Sequence, residues 1–118
     1  MDAERTEDTI REELRALFAA EERVVVDART RATAGDLTPS TPPASPEEGA
    51  LLRWLAGRLP RDGVSDVVEV GAAGGVGALH VLPALPPDAT LTIVEADTQA
   101  HALAAEALEV AGHAERVR

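Results

Sequence analysis

The segment VVEVGAAGGVGAL, residues 67–79, changes character twice along its length. Its first part continues the run Val64-Ser65-Asp66-Val67-Val68-Glu69-Val70, which reads as a strand because β-branched side chains suit a pleated surface. Gly71, Gly74, Gly75 and Gly77 follow, and without side chains there the backbone can turn tightly and a ligand can approach its amides. A helix opens near Gly75 and carries Val76, Leu79, Val81 and Leu82, until Pro83 kinks or stops it. A strand that enters glycines, which in turn open a helix, is the first half of a β–α–β unit.

The flanking sequence extends this pattern. Downstream, Pro86-Pro87-Asp88 turns the chain into a second strand, Thr90-Leu91-Thr92-Ile93-Val94-Glu95. Asp97 is placed to cap a last helix, whose buried side is Ala100, Leu103, Ala104, Ala107, Leu108 and Ala111, and Gly112 ends it. Val117 is where a third strand would begin. Upstream, Ser45, Pro46 and Glu48 form a helix start, with Glu48 completing a capping box. Leu51, Leu52, Leu55 and Leu59 then line one face of a helix that ends near Arg58, before the turn Pro60-Arg61-Asp62-Gly63. Ile10, Leu14, Leu17 and Phe18 predict a first helix from about Glu4 to Glu22. Val24, Val25 and Val26 either continue it or form a short extended piece, and Thr30 to Pro46 reads as a proline-rich loop.

The order is helices, then β–α–β–α, which implies an α/β fold with a parallel sheet and right-handed crossovers. Residues 1–44 are expected to form an N-terminal helix and Pro-rich loop, and residues 45–118 the first half of a Rossmann-like domain. The sequence reaches Arg118 partway through that sheet. An unpaired sheet edge invites another chain, so the expectation is a homo-oligomer or a partner chain that completes the sheet.

Composition narrows the function. The formal net charge is −10, from 21 acidic and 11 basic residues, and such a surface repels the phosphate backbone of nucleic acid. With no cysteine, disulfides, thiolate nucleophiles and Cys-type zinc sites are excluded. No apolar run approaches the roughly 20 residues of a membrane helix. The N-terminus MDAERTEDTI lacks the apolar core of a signal peptide, so a soluble cytoplasmic protein with no membrane partner is expected. His80, His101 and His113 lack ligand spacing, each is expected to be structural, and no metal site is assigned.

Two carboxylates frame the glycine loop. Glu95 ends the second strand, 24 positions after Gly71, where a carboxylate in a Rossmann unit accepts hydrogen bonds from ribose hydroxyls. Glu69 precedes Gly71 at the C-terminal end of the first strand, the end at which open α/β sheets bind ligands. A negative charge there favours a cationic, amino-acid-like group over a pyrophosphate. The ammonium and sulfonium of S-adenosylmethionine (SAM) meet that demand. The pattern E-V-G-x-x-x-G-x-G, with Glu95, makes SAM the expected cofactor.

From Ser45 to Arg118 the sequence resembles the SAM-dependent O-methyltransferases of the caffeoyl-CoA and catechol type. SPEEGALLRWLA is similar to that family's helix before the first strand, VVEVGAAGGVGAL to its glycine motif, and PPDATLTIVEAD to its second strand. AEALEVAGHAERVR is similar to the helix and turn that follow. The resemblance implies cofactor contacts at Glu69, Gly71, Ala73, Gly75, Gly77 and Glu95, and methyl transfer to a small-molecule hydroxyl acceptor. Three residues depart from the family pattern. Ala73 stands where the family usually has its middle glycine, Gly77 where it often has a serine contacting the methionyl group, and Pro83 interrupts a helix that usually continues. The family's catalytic residues and divalent-metal ligands lie after the third strand, so the resemblance assigns neither within this chain.

Two other readings stay open. GAAGGVG also resembles the glycine motif of medium-chain quinone oxidoreductases, which bind NADPH. Against it, Glu69 would sit beside an anionic cofactor, and no basic residue follows Glu95 before Arg116 to meet a 2′-phosphate. The other alternative is a non-catalytic or degenerate methyltransferase-like fragment that serves as an interaction subunit.

Overall fold

The computed structural model of the chain describes residues 7, 9, 12, 21–34, 42–60, 62–63 and 66–118. Two helices come first, α1 (Arg23–Thr33) and α2 (Pro46–Gly57). They are followed by β1 (Asp66–Val70), α3 (Val76–Val81), β2 (Thr90–Val94) and α4 (Thr98–Val110). Short 3-10 turns occupy Ala73–Gly75, Leu82–Ala84 and Ala114–Arg116.

The strands pair in parallel, from Asp66 opposite Thr90 to Val70 opposite Val94. Val117 bridges Leu91, again in parallel, Arg118 N donates to Leu91 O and Ile93 N donates to Arg118 O. A single parallel bridge thus lies where the sequence places the start of a third strand, and β2 lies between it and β1. Alternation along the strands turns Val67, Leu91 and Ile93 toward the helices and their core. It leaves Val68, Val70 and Val94 exposed on the other face.

Several expected elements hold for the expected reasons. Ser45 caps α2 by accepting from Glu48 N at 3.2 Å, with Pro46 in the first turn. Asp97 caps α4 by accepting from Ala100 N at 2.8 Å, and Gly112 follows that helix with φ +81°. Pro83 ends α3, lying in the 3-10 turn that succeeds it.

The N-terminal region differs from expectation. Glu7, Thr9 and Glu12 are helical, and the remainder of the helix expected from Glu4 lies outside the described residues up to Glu21. Glu21 and Glu22 are not helical, and a separate helix, α1, starts at Arg23 and takes in the valine run and Thr30–Thr33, which the sequence pattern put in a loop. The magnitudes explain this. A valine loses under about 0.7 kcal/mol relative to alanine in a helix, whereas burying its side chain gains about 2 kcal/mol. Helical geometry places Val25, Ala28 and Ala32 on one face, and all three are buried against the core.

Helix α2 turns inward the face opposite its leucines. Leu51, Leu52, Leu55 and Leu59 are between 36% and 56% exposed, while Gly49, Ala50 and Ala56 are buried. Both sets recur at helical spacing, and close packing on α3 selects the small one. The His80 ring fills the space beside Gly49, where an added Cβ would lie 2.3 Å from the imidazole.

His80 is only 4% exposed and meets Glu21 Oε2 through Nε2 at 2.8 Å. Arg29 grips the same carboxylate with both terminal nitrogens and donates from Nε to Ala44 O at 3.0 Å. Burial works against the Glu21 charge, but the bonds from Arg29 and His80 outweigh it and hold its pKa below the usual value. Burial lowers the pKa of His80, and Glu21 only partly opposes that. The cluster ties the segment before α1 to α2 and α3, and it gives His80 the structural role expected of it.

Candidate cofactor site

The glycine loop is built on the C-terminal ends of β1 and β2. Gly71, at φ +86°, donates its N–H to Val94 O at 2.9 Å, which fixes the exit of β1 to the exit of β2. The chain then turns through Ala72, Ala73, Gly74 and Gly75, and Gly75 N donates to Ala72 O at 2.7 Å. Gly74 and Gly75 both have left-handed φ, near +81° and +86°. Gly75 also lies close to α4, where a Cβ would come within 3.2 Å of Ala104 Cα. These two glycines are needed both for their conformation and for the space they leave.

Ala73 is the exception, with φ +39° and no glycine to relieve it. A left-handed conformation costs an L-residue about 1–2 kcal/mol, and the extra flexibility of glycine offsets about 0.5–1 kcal/mol. Ala73→Gly is therefore expected to stabilise the chain by about 0.5–1 kcal/mol in urea unfolding. A less stable variant would show that the loop carries no strain at this position.

The two carboxylates singled out from the sequence flank this loop in different ways. Glu95 lies just past β2, and its Oε1 accepts from Ala72 N at 3.0 Å while Oε2 accepts from Asp97 N at 3.1 Å. The N–H groups of Asp97, then Ala72, Ala73 and Ala96, hold its pKa below the usual carboxylate range. A carboxylate has about four acceptor positions, so two bonds to the backbone leave room for hydroxyl donors. Sequence reasoning located Glu95 but missed its partners, because a backbone amide leaves no signature in residue type.

Glu69 points from β1 toward the start of α3. Its Oε1 lies 2.9 Å from where a Cβ on Gly77 would be, and Leu52 Cδ1 lies 3.8 Å from the same point. Its Oε2 is buried with no hydrogen-bond partner among the described residues, and burial pushes the pKa up to about 7. A serine at 77 would crowd this oxygen; the glycine leaves it space. Glu69 and Gly77 thus form one side of the loop, while Gly71, Ala73 and Glu95 form the other, with Gly75 against α4.

Arg116 is committed elsewhere. Its guanidinium donates to Leu82 O, Pro86 O and Ala89 O at 3.0–3.2 Å, near the N-terminal end of β2 and away from Glu95. His101 is exposed and His113 partly so. Among the described residues, no group of three or more His, Asp or Glu side chains is placed to hold a metal ion. Among the same residues, no helix is long and apolar enough to cross a membrane.

Known proteins share this architecture. An O-methyltransferase from Bacillus cereus in complex with SAH superposes with a TM-score of 0.76 at 18% identity, over 92% of this chain and 47% of that one. TomG, an O-methyltransferase from Streptomyces achromogenes involved in tomaymycin synthesis and crystallised with SAM, gives 0.77 at 28% identity, over 100% and 50%. A putative O-methyltransferase from Klebsiella pneumoniae gives 0.69 at 26%, over 92% and 47%. The chain therefore spans about half the length of these structures. No curated protein matches it. The O-methyltransferase family model matches residues 17–118, most of the sequence, so the chain belongs to the O-methyltransferase family.

Proposed function

We propose that this chain provides the SAM-binding half of an O-methyltransferase that methylates a hydroxyl of a small molecule in the cytoplasm. The residues assigned to the cofactor are Glu69, Gly71, Ala73, Gly75, Gly77 and Glu95. When bound, the cofactor supplies a methyl group made electrophilic by its sulfonium. The chain's own part is to bind and orient: Glu95 accepts from the ribose hydroxyls, Glu69 faces the ammonium, and Gly71 and Gly75 let the backbone come close. Deprotonation of the acceptor, and any divalent metal, belong to residues outside this chain, supplied by a further segment or by a partner chain that pairs with the edge of β1 away from β2, which is unpaired among the described residues.

The observation that carries this reading is the Glu95 carboxylate bonded to Ala72 N at 3.0 Å. A dinucleotide needs the amides of this loop for its pyrophosphate, and here a fixed negative charge occupies one of them. An adenosine bearing a cationic amino-acid tail makes no such demand. The engagement of Arg116 by three carbonyls further weakens the NADPH reading, since it leaves that guanidinium unable to meet a 2′-phosphate. The observed match to solved structures with SAM or SAH points the same way.

Calorimetric titration with SAM and with NADPH tests the proposal. Binding of SAM without NADPH is expected, and NADPH binding alone would overturn it. Glu95→Ala removes charged hydrogen bonds to the ribose, each worth about 1.5–3 kcal/mol, and some loop order with them. The affinity for SAM should fall about 30-fold, equivalent to about 2 kcal/mol. An unchanged affinity would remove Glu95 from the site.

A further inference from the structure

A buried oxygen without a partner is costly, and among the described residues Glu69 Oε2 has none. A carboxylate normally solves this problem with a backbone N–H, a hydroxyl or a cation. Among the described residues, the basic groups of α2 and α3 nearest this face, and Glu95 beyond β2, are engaged elsewhere. On α2, Arg53 donates to His80 O at 3.3 Å, and on α3 His80 itself pairs with Glu21, which Arg29 of α1 also holds. Beyond β2, Glu95 is held by the N–H groups of Ala72 and Asp97. Gly77, at the head of α3, offers Glu69 no hydroxyl, only the space that a Cβ would take.

We infer that Glu69 is a proton-holding receptor for a cation: the proton it carries without one is yielded to solvent when an ammonium group settles beside Gly77. Binding of the cofactor then releases a proton. This inference rests on the SAM reading above and adds a linkage to it. Burial is the only cause that displaces the Glu69 pKa, so an arriving positive charge is what lowers it again. The sign follows directly. Affinity rises with pH up to about 7, where Glu69 is half ionised before binding, and levels off above it.

The test is calorimetry of the chain with S-adenosylhomocysteine, whose amine lacks the acidifying pull of a sulfonium. Titrations at pH 7 in two buffers of different ionisation enthalpy give the proton count. About half a proton should be released per ligand, rising toward one at pH 6, and Glu69→Gln should abolish the release. Equal heats in both buffers, with binding intact, would overturn the inference and leave the SAM reading standing. No binding at all would overturn both. A second measurement does not need the ligand. A carboxyl whose pKa is raised by folding stabilises the chain below its unfolded pKa, and that contribution is lost as pH rises through about 7. The wild-type melting temperature should therefore fall relative to Glu69→Gln between pH 5 and pH 8; parallel curves would show that Glu69 does not titrate there.

Discussion

Gly49→Ala is expected to destabilise the chain by about 3 kcal/mol, although alanine is the better helix former. At an exposed helical site the exchange would gain about 1 kcal/mol. Here the new methyl would lie 2.3 Å from the His80 ring, a distance that no small adjustment of packing can absorb. The ring must leave its place, and the bond to Glu21 at 2.8 Å is lost with it. Overpacking of this kind costs about 1–3 kcal/mol, and a hydrogen bond to a buried charge about 1.5–3 kcal/mol. Together these exceed the helical gain and reverse its sign. Gly57, at the other end of α2 with nothing near its would-be Cβ, is the internal control. Gly57→Ala should be neutral or mildly stabilising. Urea unfolding of both variants separates the effects, and Gly49→Ala in a His80→Ala background should be close to neutral. A more stable Gly49→Ala in the wild-type background would place the imidazole elsewhere.

Gly49 also marks where the sequence was legible and where it was not. A glycine in the first turn of an otherwise strong helix is a local conflict, and such conflicts signal a close approach. The pattern did not reveal what approached, because His80 is 31 positions away and nothing in the residue types pairs it with Glu21. The β–α–β core was readable because strand, glycines, helix and cap each agree with the fold on local grounds. The Ser45 and Asp97 caps, the stop at Pro83 and the parallel bridge at Val117 are of this kind. Where the sequence was less telling, the cause is different. The pattern puts Thr30–Thr33 in a loop and leaves Val24–Val26 between helix and extended chain, and tertiary packing decides both in favour of helix α1. Helix α1 pays a small propensity cost to bury Val25, and α2 turns its smallest residues inward so that α3 can come close. In the site, the acidic and glycine positions were visible as residue types. The bonds from Ala72 and Asp97 to Glu95 were not, because main-chain donors are the same in every residue.

Those main-chain bonds bear on how the loop works. Glu95 spans the exits of both strands by joining the loop after β1 to the one after β2, through Ala72 N and Asp97 N. Gly71 makes a second tie, to Val94 O. The carboxylate proposed to bind the ribose is thereby preorganised, and less conformational entropy remains to be lost on binding. Glu69 is the opposite case, a carboxyl with no partner among the described residues that waits for one. The two acids therefore divide the proposed site into a rigid, ionised half and a half whose charge depends on the ligand.

The loop's rigidity predicts that its glycines are unequal. Gly74→Ala should cost about 2–3 kcal/mol, whereas Gly71→Ala should cost only about 0.5–1 kcal/mol, the left-handed strain less the flexibility that glycine gives up on folding. Both positions have left-handed φ, +81° and +86°, and share the strain of about 1–2 kcal/mol that any L side chain meets there. Only Gly74 is also crowded: an added Cβ would lie 2.6 Å from Ala32 Cβ on α1, while at Gly71 nothing lies within 4 Å. Overpacking adds about 1–3 kcal/mol at the first site alone. The excess belongs to one pair of atoms, so a double-mutant cycle can isolate it. Ala32→Gly should recover the crowding part of the Gly74→Ala defect and leave the backbone strain, bringing the double variant close to Gly71→Ala once the cost of Ala32→Gly alone is subtracted. Chemical denaturation of the four chains supplies the cycle. Equal losses at Gly71 and Gly74, or no coupling with Ala32, would mean that α1 does not press on the loop. With coupling present, helix α1 is a support for the glycine loop, and substitutions along its Val25–Ala28–Ala32 face should reach the proposed cofactor site without touching the cofactor.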